Sequence, residues 1–527
     1  MVATCLKLLA NARLQSTIAP WRCNETSHKQ HHATLDPLCR FFLGCPSFPR
    51  SRRRRIGADE KKARPPICDR SPAHSRALCP ASGTRRKNMM ISNRTLRRTA
   101  GFISRFFADQ LFAKISDPRS KRGRRWKSAV PLLKTVAVGL AAGCKGFLDV
   151  ERLTKAMPPE VRRLLGIHRF TPDTTLRDFV CALNPDELCR VIWVVGYDAL
   201  RRGALRSTGQ FPFGMVSMDG KYPSVRDVGD NDNKPTSRYL QVHHDQETGA
   251  PIHGLVRVIT SVLITAVGRP IIAASPVPAQ TNEVGHFRQA FGDLVRMYGR
   301  RFRLVLYDAG AASLPNAKAV VAAGKHYFFQ IADPRWIMYQ TIELLLSETA
   351  PATRTEEISG NRRVVRELTL KAVTQTAKSL TLWRHTRTII KVYSQTHENG
   401  VLTGTKIRYF VTSLAADELS PEKWLQLVVA RWGVETAHQI LDCAFEEDEH
   451  PWVTKDANGA LVIMLLRRLV YTMMTLYKSV TIRSEETRQT MTWRELMEEI
   501  RDTLEWARHS ALEGLRQRVF AIPPALA

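Results

Sequence analysis

The chain has 527 residues, is 44% hydrophobic and carries a formal net charge of +30. That length leaves room for two or three domains, and the hydrophobic share excludes a wholly disordered chain. The charge calls for a polyanionic partner. Nucleic acid suits it better than a membrane surface, because no apolar run is read as approaching the roughly 20 residues of a span.

Residues 1–90 hold 18 Lys+Arg against 5 Asp+Glu, so +17 remains on the rest of the chain, which is basic in its own right. Residues 1–88 contain the run Arg52-Arg53-Arg54-Arg55 and no repeating apolar face, which predicts a disordered basic extension. Two readings of it stay open: its first 20 residues, basic and acid-free, are a mitochondrial transit peptide, or the whole is a spurious stretch upstream of a start at Met89 or Met90. The second is preferred because apolar patterning begins only there. Six of the ten cysteines lie in the first 90 residues and no Cys-x-x-Cys occurs, as expected for a reduced cytosolic protein.

Residues 90–205 are expected to form an all-helical N-terminal domain that binds DNA. Helices are expected over 102–115, 128–142, 149–155 and 159–165. One more follows the cap at 171–175, and another is opened by Asn184-Pro185. A helix-turn-helix reader after Thr171 is compatible with this pattern, as it is with many helical domains. The basic loop with Arg119, Arg122, Arg124 and Arg125 is either a phosphate contact or a solvated turn, and the net charge favours contact.

Residues 211–480 read as α/β. Strands are expected over 213–218, 239–244, 252–264 and 271–274, then a helix over 282–300 and a strand over 302–307. A β-rich insertion is expected at about 325–412, with strands at 365–370, 380–383, 388–393 and 407–412. It has a hairpin turn at Glu398-Asn399-Gly400. Residues 351–410 hold 11 Lys+Arg against 4 Asp+Glu, so the insertion is basic too. Ser420 and Pro421 open a helix that runs on to Asp442, with Glu435 in its middle and Arg431 one turn behind on the same face. An apolar helix over 457–477 is assigned to the core. The segment 481–527 is helical, with an amphipathic stretch over 490–518.

Asp219 ends the first strand's apolar run and Asp308 ends that of 302–307. Together with Glu435 they suggest three carboxylates meeting at one edge of a sheet. Hard divalent cations prefer such oxygens, and two of them can clamp both oxygens of a phosphodiester displacement. Lys221 is a candidate DNA contact. Arg431 is read either as a partner of a phosphate oxygen or of an aspartate. His438 is read as a neighbour of Glu435 or as a packing or surface residue.

Four segments carry a resemblance: Asp117-Pro118-Arg119 with Arg122-Gly123; Asp219-Gly220-Lys221; Asp308-Ala309; and Trp432-Gly433-Val434-Glu435 with Leu441-Asp442, Phe445 and Glu447-Asp448. In this order they resemble the DDE-type transposases of bacterial insertion sequences, in the H-repeat-associated branch. Asp308 follows Asp219 by 89 residues and Glu435 follows Asp308 by 127. Broader relatives carry a Tyr three positions before the Arg and a Lys seven after the Glu, where this chain has Val428 and Asp442. The resemblance implies a ribonuclease-H-like catalytic domain with Asp219, Asp308 and Glu435 as catalytic, metal-holding residues. It implies two Mg²⁺ ions, replaceable by Mn²⁺, and metal-dependent strand cleavage at element ends followed by transfer into target DNA. It further implies double-stranded DNA as partner, a homodimer or higher assembly on DNA, no membrane, and a bacterial cytoplasmic, nucleoid-associated location. Two rivals stay open: an inactive transposase-derived DNA-binding protein, and a metal-dependent nuclease of the same fold.

Overall fold

The computed structural model describes residues 92–120, 128–167, 169–225, 237–244, 251–373, 382–507, 520–521 and 523–524. The expected disordered extension at 1–88, and Arg122, Arg124 and Arg125 with it, lie outside the described residues.

The helical first third comprises α1 (Asn93–Phe106), α2 (Ala129–Ala141), α3 (Phe147–Ala156), α4 (Asp173–Ala182) and α5 (Pro185–Arg201). The first helix begins nine residues before its expected start at 102, because Ser92 accepts the Thr95 N–H at 3.1 Å and so caps it. Asn184 caps α5 as its Asn-Pro pair predicts, accepting the Asp186 N–H at 3.0 Å.

The strands are β1 (Met215–Lys221), β2 (Ser224–Val225), β3 (Leu240–His244), β4 (Pro251–Leu263), β5 (Ile271–Val277), β6 (Leu304–Tyr307), β7 (His326–Ile331), β8 (Thr353–Ser359), β9 (Arg362–Ala372), β10 (Thr388–Glu398) and β11 (Val401–Thr412). Helices α6 (Glu283–Tyr298), α7 (Leu314–Ala322) and α8 (Ile337–Leu346) fall among them. After them come α9 (Pro421–Ala430), α10 (Gly433–Cys443), α11 (Ala457–Leu476) and α12 (Trp493–Trp506).

All of the strands join in one mixed sheet. Strand β4 lies antiparallel between β1 and β5, while β6 is parallel to β1 and β7 parallel to β6. Beyond β7 the sheet continues antiparallel through β11, β10, β9 and β8. Thus the β-rich stretch expected from 325 opens with β7, which belongs to the parallel part. The insertion proper starts after it and extends the same sheet. The hairpin between β10 and β11 falls where expected: Asn399 (φ 53°) and Gly400 (φ 81°) take the left-handed conformations that a two-residue turn needs. Residues 380 and 381 of the expected strand at 380–383 lie outside the described residues, and Leu382 and Trp383 are not in a strand.

Residues Met215 to Met218 are all buried, as in a strand covered on both faces. On one face α6 packs Phe287 edge-on to Tyr307 and Phe329, at 5.5 and 5.8 Å between ring centres. Helix α11 packs against β4 and β5 and against α2, α4 and α5, tying the helical third to the sheet. The segment Ala457–Thr481 is 25 residues long with a mean hydropathy of 1.5 in its most apolar window, long and apolar enough to cross a membrane. That corrects the reading that no apolar run comes near a span. Its most apolar window is wholly buried in the fold, and α11 buries Arg467 and Arg468 as well.

Candidate active site

Strands β1 and β6 run side by side with Ser217 opposite Leu306. Two residues further on, each chain reaches its aspartate, so Asp219 and Asp308 stand together at the carboxyl ends of parallel strands. Open α/β sheets place their ligand crevices at such ends. Asp308 caps the short turn Ala309–Ala311 by accepting the Gly310 N–H at 2.8 Å. Asp219 Oδ1 accepts the Gly220 N–H at 2.9 Å, and its Oδ2 lies 3.3 Å from His438 Nδ1.

Glu435 reaches this edge by a route the sequence pattern did not show. The single helix expected through 421–442 is two helices, broken at Arg431-Trp432. The Arg431 carbonyl, which an unbroken helix would offer to the Glu435 N–H, accepts the Ser217 hydroxyl of β1 at 2.8 Å instead. Gly433 then lets α10 lie directly on the sheet: a Cβ there would stand 2.7 Å from Ile264 Cγ2. Glu435 consequently sits in the first turn of α10, not in mid-helix, one turn before His438. Arg431 Nη2 is 3.3 Å from Glu435 Oε1, so the carboxylate paired with this arginine is a glutamate and not the expected aspartate.

The carboxylates share one field. Asp308 is held above the usual carboxylate range by burial and then by Asp219, against the Gly310 N–H and Arg431. Glu435 is raised too, first by partial burial and further by Asp219 and Asp308, against Arg431 and Arg408. A fourth carboxylate, Glu283 at the start of α6, joins them. Burial raises it first, then Asp219 and Asp308, while Arg257 opposes. Sequence reading missed Glu283. The signal lay in the topology: β5 runs in the same direction as β1, so the helix after it must start at the edge where Asp219 and Asp308 end.

The cations expected to touch DNA have varied surroundings. Arg119 forks onto Asp117 at 2.9 and 2.7 Å and lies over the Phe179 ring. Lys221 is turned inward: it bonds Asp442 and lies 3.3 Å from Glu447 and 3.2 Å from Asp448, with its side chain 12% exposed. Glu447 in turn bonds Arg468 at 3.0 Å, and Arg468 Nε donates to Thr260, the β4 partner of Asp219. Two arginines not singled out from the sequence, Arg366 of β9 and Arg408 of β11, lie over the Trp432 ring at 5.8 and 5.3 Å. The insertion thereby delivers positive charge beside Glu435.

Among the described residues, no three His, Cys, Asp or Glu side chains are gathered into a ready-made ligating group. The donor set nonetheless fits a hard divalent cation, because its oxygens are carboxylates whose mutual repulsion such a cation relieves.

A mixed α/β fold with carboxylates at the ends of adjacent parallel strands and a basic flank defines the class of site. Residues 239–473 match the family described as the transposase DDE domain, a stretch that contains Asp308 and Glu435 and begins after Asp219. The match supports a DDE transposase family and, with it, DNA as the partner. No curated protein matches the chain.

Proposed function

We propose that this chain is a transposase of the insertion-sequence type, in the H-repeat-associated branch, that cuts DNA at element ends and joins those ends to target DNA. The observation that carries the reading is the meeting of Asp219, Asp308 and Glu435 at one sheet edge. The strand order β5-β4-β1-β6-β7, with only β4 antiparallel to the rest, supports a ribonuclease-H-like catalytic domain.

Asp219, Asp308 and Glu435 would hold Mg²⁺ or Mn²⁺. Bound there, the cations supply Lewis acidity and neutralise charge on the scissile phosphate. The protein's own groups do the positioning. Arg431 orients the Glu435 carboxylate, and His438 stands against the outer oxygen of Asp219. Arg408 and Arg366 receive backbone phosphates beside Trp432, and Arg119, Arg122, Arg124 and Arg125 receive them further along the duplex. In the first step water attacks phosphorus and the 3′-oxygen leaves as a hydroxyl. In the second that hydroxyl attacks a target phosphorus and displaces the target's own 3′-oxygen. Lys221, occupied by three carboxylates, serves to fix the end of β1 and is withdrawn as a DNA contact in this proposal. The protein acts as a dimer or higher assembly on DNA, in the bacterial cytoplasm at the nucleoid.

The test is cleavage and joining of a duplex carrying the inverted repeats that flank the gene, with gel-shift binding in parallel. Wild-type protein cleaves and joins; Asp219→Asn, Asp308→Asn and Glu435→Gln bind the duplex at least as tightly but do not cut. Cleavage without joining assigns a nuclease. Binding without cleavage by the wild type assigns a non-catalytic DNA-binding derivative.

A further inference from the structure

Strand β1 and helix α10 are laced together at three points. Alternate residues of a strand share a face, so Ser217, Asp219 and Lys221 all leave β1 on one side. Gly220 faces the other side, where a Cβ would meet Glu283 of α6. Ser217 donates to the Arg431 carbonyl at 2.8 Å, just before α10 begins. Asp219 Oδ2 lies 3.3 Å from His438 Nδ1, in the middle of α10. Lys221 donates to Asp442, the last but one residue of α10. Successive residues of one strand face thus meet the helix at its start, its middle and its end.

On α10, Glu435, His438 and Asp442 stand three and then four residues apart, so they share one helix face. The face that carries Glu435 is therefore the face that Lys221 holds at its far end. Lys221 is itself held. It lies 3.3 Å from Glu447, which accepts from Arg468 at 3.0 Å, and Arg468 donates to Thr260, the cross-strand partner of Asp219. The chain of contacts closes two residues from where it began. Asp219, Asp308 and Glu435 repel one another unless a cation lies among them. The Lys221–Asp442 attraction opposes that repulsion, and its partial burial shields it from salt.

We propose that Lys221 and Asp442 are positioning residues of the cation site: their pair holds α10 on β1, so that Glu435 is set beside Asp219 before a cation binds. This rests on the reading of Asp219, Asp308 and Glu435 as cation ligands. The rival is that Lys221 serves only to neutralise the buried Glu447.

Asp442→Asn separates the two, because it releases α10 while Lys221 keeps Glu447 and Asp448. Asp442 is 33% exposed and asparagine has its shape, so the fold is kept. Asp448→Asn is the control: Asp448 also lies 3.2 Å from Lys221, but it stands outside α10 and is 59% exposed. Two readouts are taken on the full-length protein without DNA. Hydrogen exchange in metal-free buffer reads the docking of α10, and the electron paramagnetic resonance signal of unbound Mn²⁺ reads the site. Asp442→Asn speeds exchange of the α10 amides by about tenfold or more, as loss of a charged hydrogen bond does. It weakens Mn²⁺ binding by about tenfold, within the range seen when support of a metal site is lost. Asp442→Glu, which keeps the charge, restores most of both, and Asp448→Asn changes neither. Wild-type exchange and wild-type Mn²⁺ affinity in Asp442→Asn overturn the role of the pair and leave the three ligands standing. Faster exchange with unchanged Mn²⁺ affinity also overturns it, making the pair a tie that does not serve the site. Equal losses in Asp448→Asn and Asp442→Asn assign the effect to the charge around Glu447 and overturn it as well. If the wild type binds no Mn²⁺, or Asp219→Asn binds it as the wild type does, the cation reading falls and this inference with it.

Discussion

Glu447 offers the sharpest stability test, because it is buried among charges behind the candidate site. Its carboxylate is 1% exposed and bonds Arg468, itself 0% exposed, at 3.0 Å, with Lys221 at 3.3 Å. Burial alone would raise its pKa, but Arg468, Lys221 and Arg467 outweigh burial and hold it at about 2, below the ordinary 4.5. That difference corresponds to about 3 kcal/mol of stability from the ionised form. The folded-state value is depressed, so this contribution is complete above pH 4.5 and is lost as pH falls toward 2. Glu447→Gln removes it and leaves Arg468 without its counter-charge, a change that typically costs about 3–5 kcal/mol. For a compact unit of the size of residues 86–527, the unfolding entropy is roughly 0.9 kcal/mol per kelvin, which predicts a melting temperature lower by about 3–5 °C at pH 7. Thermal melts followed by circular dichroism measure it. The gap between wild type and variant should shrink as pH falls from 4.5 toward 2, where the wild-type glutamate also becomes neutral. A variant melting within about 1 °C of wild type at pH 7, or a gap that does not depend on pH, would refute the reasoning.

Gly433→Ala should cost about 1–3 kcal/mol through its clash with Ile264 and should lift α10 from β1, reducing cleavage more than DNA binding; thermal melts and gel shifts separate the two effects. Arg408→Ala should weaken DNA binding and flatten the dependence of log affinity on log salt by about one, in a salt titration of the gel shift. Replacing Arg122, Arg124 and Arg125 together with Ala should flatten it further, and an unchanged slope would assign that loop to solvent. Ser217→Ala should leave the Arg431 carbonyl without its β1 donor, at a cost of about 1 kcal/mol in thermal melts, and loosen the start of the Glu435 helix.

Much of the site's frame was legible because strand patterns announce themselves. The apolar runs ending at Asp219 and Asp308 marked β1 and β6, and the Asn-Gly turn marked the β10–β11 hairpin. Ser420-Pro421 marked the start of α9. What stayed hidden depends on contacts between distant segments. The break before Gly433 arises because Ser217, 214 residues away, takes a helical carbonyl, and no local pattern records that. The inward turn of Lys221 needs Asp442, Glu447 and Asp448 to arrive from another element. Glu283 looked like any acid at the start of a helix until the direction of β5 placed it at the shared edge. Arg366 and Arg408 stood among alternating strand residues, and only the folding of the insertion back onto the sheet brings them over Trp432.

The account's central claim is that Asp219, Asp308 and Glu435 form one cation site. The most direct measurement is anomalous diffraction from crystals of the protein soaked with Mn²⁺. The account predicts an anomalous peak at the carboxyl ends of β1 and β6, within coordination distance of oxygens from all three residues. A crystal that takes up Mn²⁺ elsewhere, or in which one of the three carboxylates stands more than about 10 Å from the others in well-ordered density, would contradict it.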